Sequence, residues 1–387
     1  MDARATNGLL RHLRDMQDFR ASNVSHPLIN IVAIAVMAAL CGAKGWVDVE
    51  TWARMQAEFL GQFLDLRRGI PSHDTFDRVF RLMDPMAFEA CFHRFVAALR
   101  EGSDGQFVAV DGKTLRRSWK RAWSKTPVHM VSAFVAKNHL VLGQLAVEGK
   151  SNEITAIPKL LALLSLADRT VTIDAIGCQR DIIPVIKAQG GHFLLAVKQN
   201  QPALHEKVKK LMDEGALEKF KGTRHGMAEQ KEQGHGRKER RRLWVCTEVQ
   251  WLGEQLREKW PEIGSLIMVE RWRQDYGDME GKSSYERHYY VSDHSHTDAK
   301  FYMEGIRQHW GIESMHWTLD VTMKEDDSRL RMGNGPEAFS RLRRLSVTKH
   351  KNWHPKKENG SPLCTSVRLK QKVCNWNPQM LIEVLTA

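Results

Sequence analysis

The sequence predicts a mixed α/β sheet with helices packed on its faces, preceded by a helical domain and interrupted by a strand-rich insertion. Two observations lead to this fold class. Apolar residues recur at helical spacing up to about residue 104, and from Phe107 onward short apolar runs alternate with helical segments. A single sheet covered by helices is the economical way to bury such a series of elements.

The composition narrows the class of protein. A chain of 387 residues with 42% hydrophobic content can form two domains, or one large decorated domain, around a real core. The formal net charge of +12 favours a polyanionic partner, most commonly nucleic acid. The alternative is a generic basic protein without a special partner.

Cellular location follows from the cysteines and the apolar segments. The six cysteines contain no C-x-x-C pair, which fits a reducing cytosol. The start of the chain has no signal-peptide pattern. The most apolar run, "LINIVAIAVMAALCG", is shorter than the roughly 20 residues of a membrane span. We therefore expect a cytoplasmic, nucleoid-associated protein without membrane contact.

The elements follow in order along the chain. Residues 1–104 form the helical domain, with breaks at "GIPSHDTF" and "MDPM". Residues 105–350 begin with a strand that ends at an Asp-Gly turn ("QFVAVDGKT"), continue with two strands joined by a Lys-Asn-His turn, and then alternate helix and strand up to "PALHEKVKKLMDEG".

An insertion at about 221–293 separates these elements from a long helix that begins near Thr297. Its first part, "KGTRHGMAEQKEQGHGRKERRR", is charged and dotted with glycine, so we expect an exposed loop, followed by three strands. Residues 351–387 are expected to form a basic tail.

Two aspartates are candidate site residues because each ends a predicted strand. Asp111 ends the first strand and Asp174 ends the fourth. Ligand sites of open α/β sheets gather at the carboxyl ends of strands. If these strands are neighbours, their aspartates lie side by side. The alternatives are a turn residue at Asp111 and a helix cap at Asp174.

Glu313 is a third candidate because it falls in an apolar stripe of the long helix, with Tyr302, Ile306, Trp310 and Trp317 at helical spacings. A carboxylate on a buried face costs on the order of several kcal/mol unless it is compensated. Shared divalent cations would compensate it, and hard oxygen ligands favour Mg²⁺ or Mn²⁺. Two such ions support in-line phosphoryl transfer. An ion pair with Arg307 or a histidine is the alternative.

Further polar residues are candidates to support the acids or to contact DNA. His309 lies one turn before Glu313 on the same face, and Asp320 lies seven residues after it. Asn200 follows the fifth strand and is a third supporting candidate, with a polar loop as the alternative. Candidate phosphate contacts, with solvated surface as the alternative, are Lys113, Arg116, Arg117, Lys198, Gln201, Arg237, Lys238, Arg343 and Arg344.

The combination of motifs resembles the DDE transposases of bacterial insertion sequences, of the H-repeat-associated type. The matching stretches are "SHDTFDRVF", "VAVDGKTLRRS", "GKSNEITAIPKLL", "VTIDAIGCQRDI", "VKQNQPALHE", "GHGRKERR" and "IRQHWGIES…HWTLDVTMKEDDSRLRMGN". The resemblance implies a ribonuclease-H-like catalytic domain with a β-rich insertion. It places the catalytic and metal-binding triad on Asp111, Asp174 and Glu313, with two Mg²⁺ or Mn²⁺ ions. It also implies a homodimer in a synaptic complex with terminal inverted repeats and target DNA, and an amino-terminal domain that binds the DNA ends or dimerises.

The sequence departs from related transposases around Glu313. Their Tyr, Arg and Lys signature positions hold Ile306, His309 and Asp320 here, so the phosphate contacts of that signature do not transfer. Two alternatives to a transposase therefore remain. One is a ribonuclease-H-like nuclease without strand transfer, and the other is a defective or domesticated DNA-binding protein.

Overall fold

The computed structural model describes residues 13, 16–21, 24–91, 106–118, 126–148, 153–234, 236–275 and 283–386. The chain divides into two compact units. The helical unit comprises Met1–Asp104, Gly112–Glu153 and Glu313–Ala387. The sheet unit comprises Gly105–Asp111 and Ile154–Ile312.

The strands of the described residues form one nine-stranded sheet with the order β3-β2-β1-β4-β5-β9-β8-β7-β6. Their bounds are β1 Phe107–Thr114, β2 Val128–Val135, β3 Leu140–Glu148, β4 Thr170–Ile173, β5 His192–Val197, β6 His225–Gly234, β7 Arg237–Cys246, β8 Ser265–Asp275 and β9 Ser283–Ser292.

Helices account for most of the remaining described residues. In chain order they are α1 Leu28–Leu40, α2 Trp46–Met55, α3 Ala57–Leu60, α4 His73–Leu82, α5 at residues 85–91, α6 Glu153–Ala162, α7 Ile182–Ala188, α8 Pro202–Leu217, α9 Glu254–Lys259, α10 Ala299–Val321, α11 Gly335–Asn352, α12 Val367–Trp376 and α13 Pro378–Thr386.

In the sheet unit, β1, β4 and β5 are parallel neighbours. Helix α6 connects towards β4 and α7 connects β4 to β5, so the crossovers are helical. β5 then pairs antiparallel with β9, the last strand of the insertion. The alternation of apolar strands and helices predicted these helical crossovers, but not the order of the strands.

The insertion is more regular than expected. The charged stretch predicted to be a loop forms β6 and the first part of β7, and the rest of β7 lies in the first predicted strand of the insertion. The two strands pair antiparallel over their whole lengths. Ion pairs connect the two strands. Glu229 lies opposite Arg242 and also accepts from Arg240 at 2.6 Å. Such cross-strand pairs help to stabilise β6, which has few apolar side chains, so composition alone gave the wrong prediction for it.

The core of the helical unit is formed by two buried helices. Twelve of the thirteen residues of α1 are buried, and this helix packs against α11. The C-terminal residues expected to be a basic tail instead contain α12 and α13, and both pack on α11. Lys370 of α12 donates to the carbonyl of His350 at 2.6 Å. No helix in the described part of the chain is both long enough and apolar enough to cross a bilayer.

Strand β1 does not end in the predicted Asp-Gly turn, because it continues through Gly112 to Thr114. The glycine is required by a close neighbour. A Cβ at Gly112 would lie 2.2 Å from Nε2 of His129 and 2.7 Å from the carboxyl carbon of Glu153. These two buried side chains are hydrogen-bonded to each other at 3.0 Å and lie directly over the strand at Gly112. The predicted Lys-Asn-His turn between β2 and β3 is confirmed, with His139 at φ 49°.

Replacing Gly112 with alanine is expected to destabilise the protein by about 1–3 kcal/mol, because the new methyl group overlaps the His129–Glu153 pair. Denaturant unfolding would measure the change. Gly335→Ala is the matched control, since nothing lies within 4 Å of a Cβ there. We expect the control to change stability by no more than about 0.5 kcal/mol. Equal unfolding free energies for the two variants would contradict the prediction.

Candidate active site

The two candidate aspartates follow paired residues of adjacent strands. Val110 of β1 pairs in parallel with Ile173 of β4. The next residues are Asp111 and Asp174, and both are half-buried. The first and fourth strands are therefore neighbours, which was the condition for their aspartates to lie side by side. Asp111 lies within β1, and Asp174 directly follows β4.

Asp174 also has the capping role that the sequence offered as its alternative. Its Oδ1 accepts the backbone N–H of Ile176 at 3.1 Å and caps the 3₁₀ turn Ala175–Gly177. The turn is tight, since a Cβ at Gly177 would lie 2.1 Å from the side chain of Ile173. Capping and site chemistry are compatible here, because the cap fixes the direction of the carboxylate at the strand end.

Side chains from the loop after β5 hold the same turn. The amide of Asn200 donates to the carbonyl of Ala175, the residue after Asp174. The amide of Gln201 donates to the carbonyl of Cys178 at 2.9 Å. Both amides therefore bind the protein's own backbone, which gives Gln201 a structural contact where the sequence suggested DNA. Lys198 of the same loop is exposed.

Helix α10 is anchored to the sheet unit by its first half. Tyr302 and Ile306 are buried in a cluster with residues of β5, β7 and β8. The ring of His309 contacts Thr172 at 3.1 Å, two residues before Asp174 in β4. Burial lowers the pKa of His309 to about 4, so its imidazole is neutral at neutral pH. His309 thus connects the helix to the strand that carries Asp174.

The burial expected for Glu313 is wrong. Glu313 is exposed, and Trp317 of the same stripe is 62% exposed. The apolar face of α10 changes along its length. Its second half buries another set of residues, which are Ile312, Met315 and Leu319. A single stripe drawn over the whole helix therefore merges two different faces, and the cost of a buried carboxylate does not apply to Glu313.

In the helical unit, Lys113 forms the centre of an ion-pair cluster. Its Nζ lies 2.7 Å from Asp320, 3.1 Å from Asp326 and 3.5 Å from Glu325. The side chain is only 8% exposed, so it has an internal role in place of the phosphate contact that the sequence suggested. Burial raises the pKa of Asp320, and Lys113 opposes that rise. Asp320 therefore pairs with Lys113, which follows Asp111 by two residues.

Glu325 connects this cluster to α11. Its carboxylate is fully buried, lies 2.9 Å from Arg344 and accepts from the hydroxyl of Ser340 at 2.8 Å. Burial alone would raise the pKa of Glu325, but the cations of Arg344 and Lys113 lower it to about 2. Two cations and a hydroxyl donor therefore keep this buried carboxylate ionised.

The other candidate DNA contacts divide into buried and exposed cations. Arg343 and Arg344 are buried, which is a correction to their expected place on a DNA-binding surface. The guanidinium of Arg343 donates to the carbonyl of Lys44 at 2.9 Å and lies 4.4 Å from the centre of the Phe339 ring. Exposed cations are Arg116, Arg117 and Lys238, while Arg237 is half-buried.

In the part of the chain that the structure describes, one group of three ligand-type side chains has its donor atoms within 4.8 Å: His192, Asp293 and His294. The carboxylate of Asp293 is already bound by protein donors. It pairs with Lys187 at 2.6 Å and with His192 at 2.9 Å, and accepts the backbone N–H of Phe193 at 2.8 Å. These internal contacts account for the group without a cation.

Comparison with known proteins identifies the family. A family model described as "Transposase DDE domain" matches residues 102–348, and one described as "DDE_Tnp_1-associated" matches residues 10–96. The chain belongs to the DDE transposases, of the H-repeat type. The Escherichia coli K12 "H repeat-associated putative transposase YhhI" is 36% identical over 341 residues, which is 88% of this chain and 89% of that protein.

A second relative and one solved structure are also similar to this chain. The E. coli O157:H7 "Putative transposase YncI" is 38% identical over 341 residues, covering 88% of this chain and 86% of that protein. Among solved structures, a piggyBac transposase synaptic complex with hairpin DNA covers 99% of this transposase and 78% of its own chain, at 11% identity and a TM-score of 0.40.

Arg241 and Arg271 contact Trp310 and so join the insertion to α10, and these contacts were not predicted from the sequence. A signal was present in "GRKERRRLWV", where Glu239 and Arg241 alternate with Lys238 and Arg240 as in a strand with two different faces. Treating the stretch as a loop hid that alternation.

Asn200→Ala is expected to loosen the turn after Asp174, because it removes the donor to the carbonyl of Ala175. Amide hydrogen exchange of peptides covering residues 174–179 should become at least about 5-fold faster, as a loss of roughly 1 kcal/mol implies. Gln199→Ala is the control, because Gln199 is exposed and contacts only His205 among the hydrogen bonds resolved for it. Identical exchange in both variants would refute the bracing role of Asn200.

Glu325→Gln is expected to destabilise the transposase by about 3–5 kcal/mol at pH 7, because buried cations lose their counter-charge. The folded pKa of Glu325 lies below its ordinary value of 4.5, at about 2. Its contribution is therefore complete above pH 4.5 and is lost as the pH falls towards 2. Denaturant unfolding at several pH values should show the gap to wild type narrowing below pH 4.5.

The control for this experiment is Asp327→Asn, since Asp327 is 59% exposed and pairs with Arg117 at 3.5 Å. We expect a change of no more than about 1 kcal/mol. A gap between wild type and Glu325→Gln that stays constant from pH 7 to pH 3 would show that Glu325 does not titrate as stated.

Proposed function

We propose that this transposase cleaves DNA at the ends of its insertion sequence and joins the freed 3′-hydroxyls to target DNA, with Asp111, Asp174 and Glu313 as its catalytic triad. The observation that carries the proposal is the parallel pairing of Val110 with Ile173, since Asp111 and Asp174 directly follow these paired residues. The choice of Glu313 as the third acid rests on the resemblance of its stretch, "IRQHWGIES", to DDE transposases.

The donor set fits divalent cations. Asp111 and Asp174 offer hard oxygen ligands, which Mg²⁺ and Mn²⁺ prefer. Two carboxylates at neighbouring strand ends also repel each other unless a cation neutralises them. Two bound ions would activate the attacking water or hydroxyl and stabilise the leaving oxygen.

The chain's own residues orient these acids. The 3₁₀ cap fixes the direction of the Asp174 carboxylate, and Asn200 holds the turn that follows it. His309, neutral at physiological pH, anchors α10 to β4. Preorganised positions matter here, because phosphoryl transfer depends mostly on placement and charge neutralisation.

The DNA substrate would be bound by exposed cations. Arg116 and Arg117 follow Asp111 within six residues, and their side chains are 79% and 54% exposed. Lys198 and Lys238 add exposed positive charge elsewhere. Phosphate contact through such residues makes binding strongly dependent on salt. Terminal repeats and target DNA must be handled together, so we propose a homodimer in a synaptic complex that works at the nucleoid.

A second candidate function is DNA binding without catalysis, as in a defective or domesticated copy. The observation that favours it is the acidic Asp320 at the position where related transposases carry lysine. In this chain Asp320 instead pairs with Lys113. Such a protein would bind terminal repeats but would leave DNA intact in the presence of Mg²⁺ or Mn²⁺.

Asp111→Asn and Asp174→Asn are expected to reduce cleavage of DNA that carries the element's ends by more than about 100-fold, because each removes a charged metal ligand of unchanged size. Gel analysis of cleaved and joined products in Mg²⁺ would measure this. Asp181→Asn is the control, since Asp181 is exposed and its side chain caps no helix.

The products also discriminate between the candidate functions. Cleaved and joined DNA supports a transposase, whereas cleavage without joining indicates a nuclease. Binding without cleavage by the wild type indicates the DNA-binding alternative. Equal activity of the wild type and Asp111→Asn would eliminate the triad.

A further inference from the structure

Two arginines of the insertion stack on a tryptophan of α10. The guanidinium carbons of Arg241 in β7 and Arg271 in β8 lie 5.0 Å and 5.1 Å from the centre of the Trp310 ring. The two arginines are direct partners in the β7–β8 register. Cation–π contacts at this distance are attractive, and more strongly so when they are removed from water.

Carboxylates fix both guanidinium groups in place. Glu239 pairs with Arg241 at 2.6 Å and also pairs with Arg271. Glu232 pairs with Arg241 at 2.9 Å and also with Arg307 of α10. The side chains of Arg241 and Arg271 are only 7% and 23% exposed. These cations are therefore neutralised and ordered within the protein, unlike cations that await a phosphate.

The contacts lie close to the third proposed catalytic acid. Trp310 precedes Glu313 by three residues and Arg307 precedes it by six, all within one continuous helix. Glu313 is itself exposed, so packing around its own side chain does not fix it. Its position depends on how the preceding turns of α10 are held.

We propose that Trp310 is a positioning residue, through which Arg241 and Arg271 of the insertion set the orientation of the helix turn that carries Glu313. This inference rests on the proposed function for the role of Glu313. According to this inference, Arg241 and Arg271 position a part of the active site and do not bind DNA.

The same strand offers a matched control. Arg240 precedes Arg241, points to the opposite face and lies 5.0 Å from the ring centre of Trp272, a residue of β8. It also pairs with a carboxylate, Glu229, at 2.6 Å. Arg→Lys changes at positions 240 and 241 thus keep the charge and remove one planar stacking group each, but only Arg241 contacts α10.

The test compares Arg241→Lys, Arg271→Lys and Arg240→Lys in the full chain. We expect the first two to lower the rate of end cleavage at least about 10-fold, to raise the Mn²⁺ concentration for half-maximal rate, and to leave DNA affinity within about 2-fold of wild type. Arg240→Lys should leave all three quantities within about 2-fold. Trp310→Phe, which keeps a ring face, should retain more activity than Trp310→Leu.

A structural measurement keeps this test separate from the proposed function. Amide hydrogen exchange of residues 306–315 should be faster in Arg241→Lys than in Arg240→Lys, whether or not the wild type cleaves DNA. If exchange is faster in Arg241→Lys than in Arg240→Lys but the wild type does not cleave DNA, the positioning of α10 is supported and the catalytic role of Glu313 is rejected. Equal exchange in the two variants would overturn the inference. So would a loss of DNA affinity confined to Arg241→Lys and Arg271→Lys, since that would place these arginines on DNA.

Discussion

The parallel hydrogen-bonded register of β1 against β4 is the constraint on which the proposed chemistry depends. Val110 and Ile173 are paired, so Asp111 and Asp174 each directly follow a paired position in adjacent strands, Asp111 within β1 and Asp174 just after β4. A shift of one residue would turn one carboxylate towards the opposite face. The buried, β-branched strand residues hold this register, because any shift would expose apolar surface.

Several positive charges of this transposase are used inside the fold. Lys113, Arg241, Arg341 and Arg344 are all buried, and each is paired with a carboxylate. A buried cation without such a partner is costly, so these pairs must form together with the fold. Such pairs contribute nothing to the net charge of +12, so the proposed interaction with DNA depends on exposed cations such as Arg116.

Periodicity and capping residues predicted those elements whose own sequences carry a clear pattern. The buried helix α1, the strands β4 and β5, and the helix α8 with proline at its first turn all follow from periodicity and caps. Strand β6 and the first part of β7 escaped prediction, because cross-strand ion pairs help to stabilise them and such pairs leave no apolar signal. The strand positions of Asp111 and Asp174 were predictable, but the need for glycine at position 112 comes from a distant pair, His129 and Glu153.

The wrong prediction that Glu313 is buried also arose because a local pattern was used where distant neighbours decide the packing. It shows which contacts hold α10. A helix of 23 residues that changes its buried face cannot be described by one stripe, because each half is packed by different neighbours. The first half is held by the sheet unit through Tyr302, Ile306 and His309. Since Glu313 itself is exposed, nothing in its own burial selects its position, and the contacts one turn earlier must do so. The contact of the paired, charged strands of the insertion with Trp310 has a physical reason. Two guanidinium planes that are rigid and neutralised can hold an aromatic ring in one orientation, whereas a flexible basic loop could not.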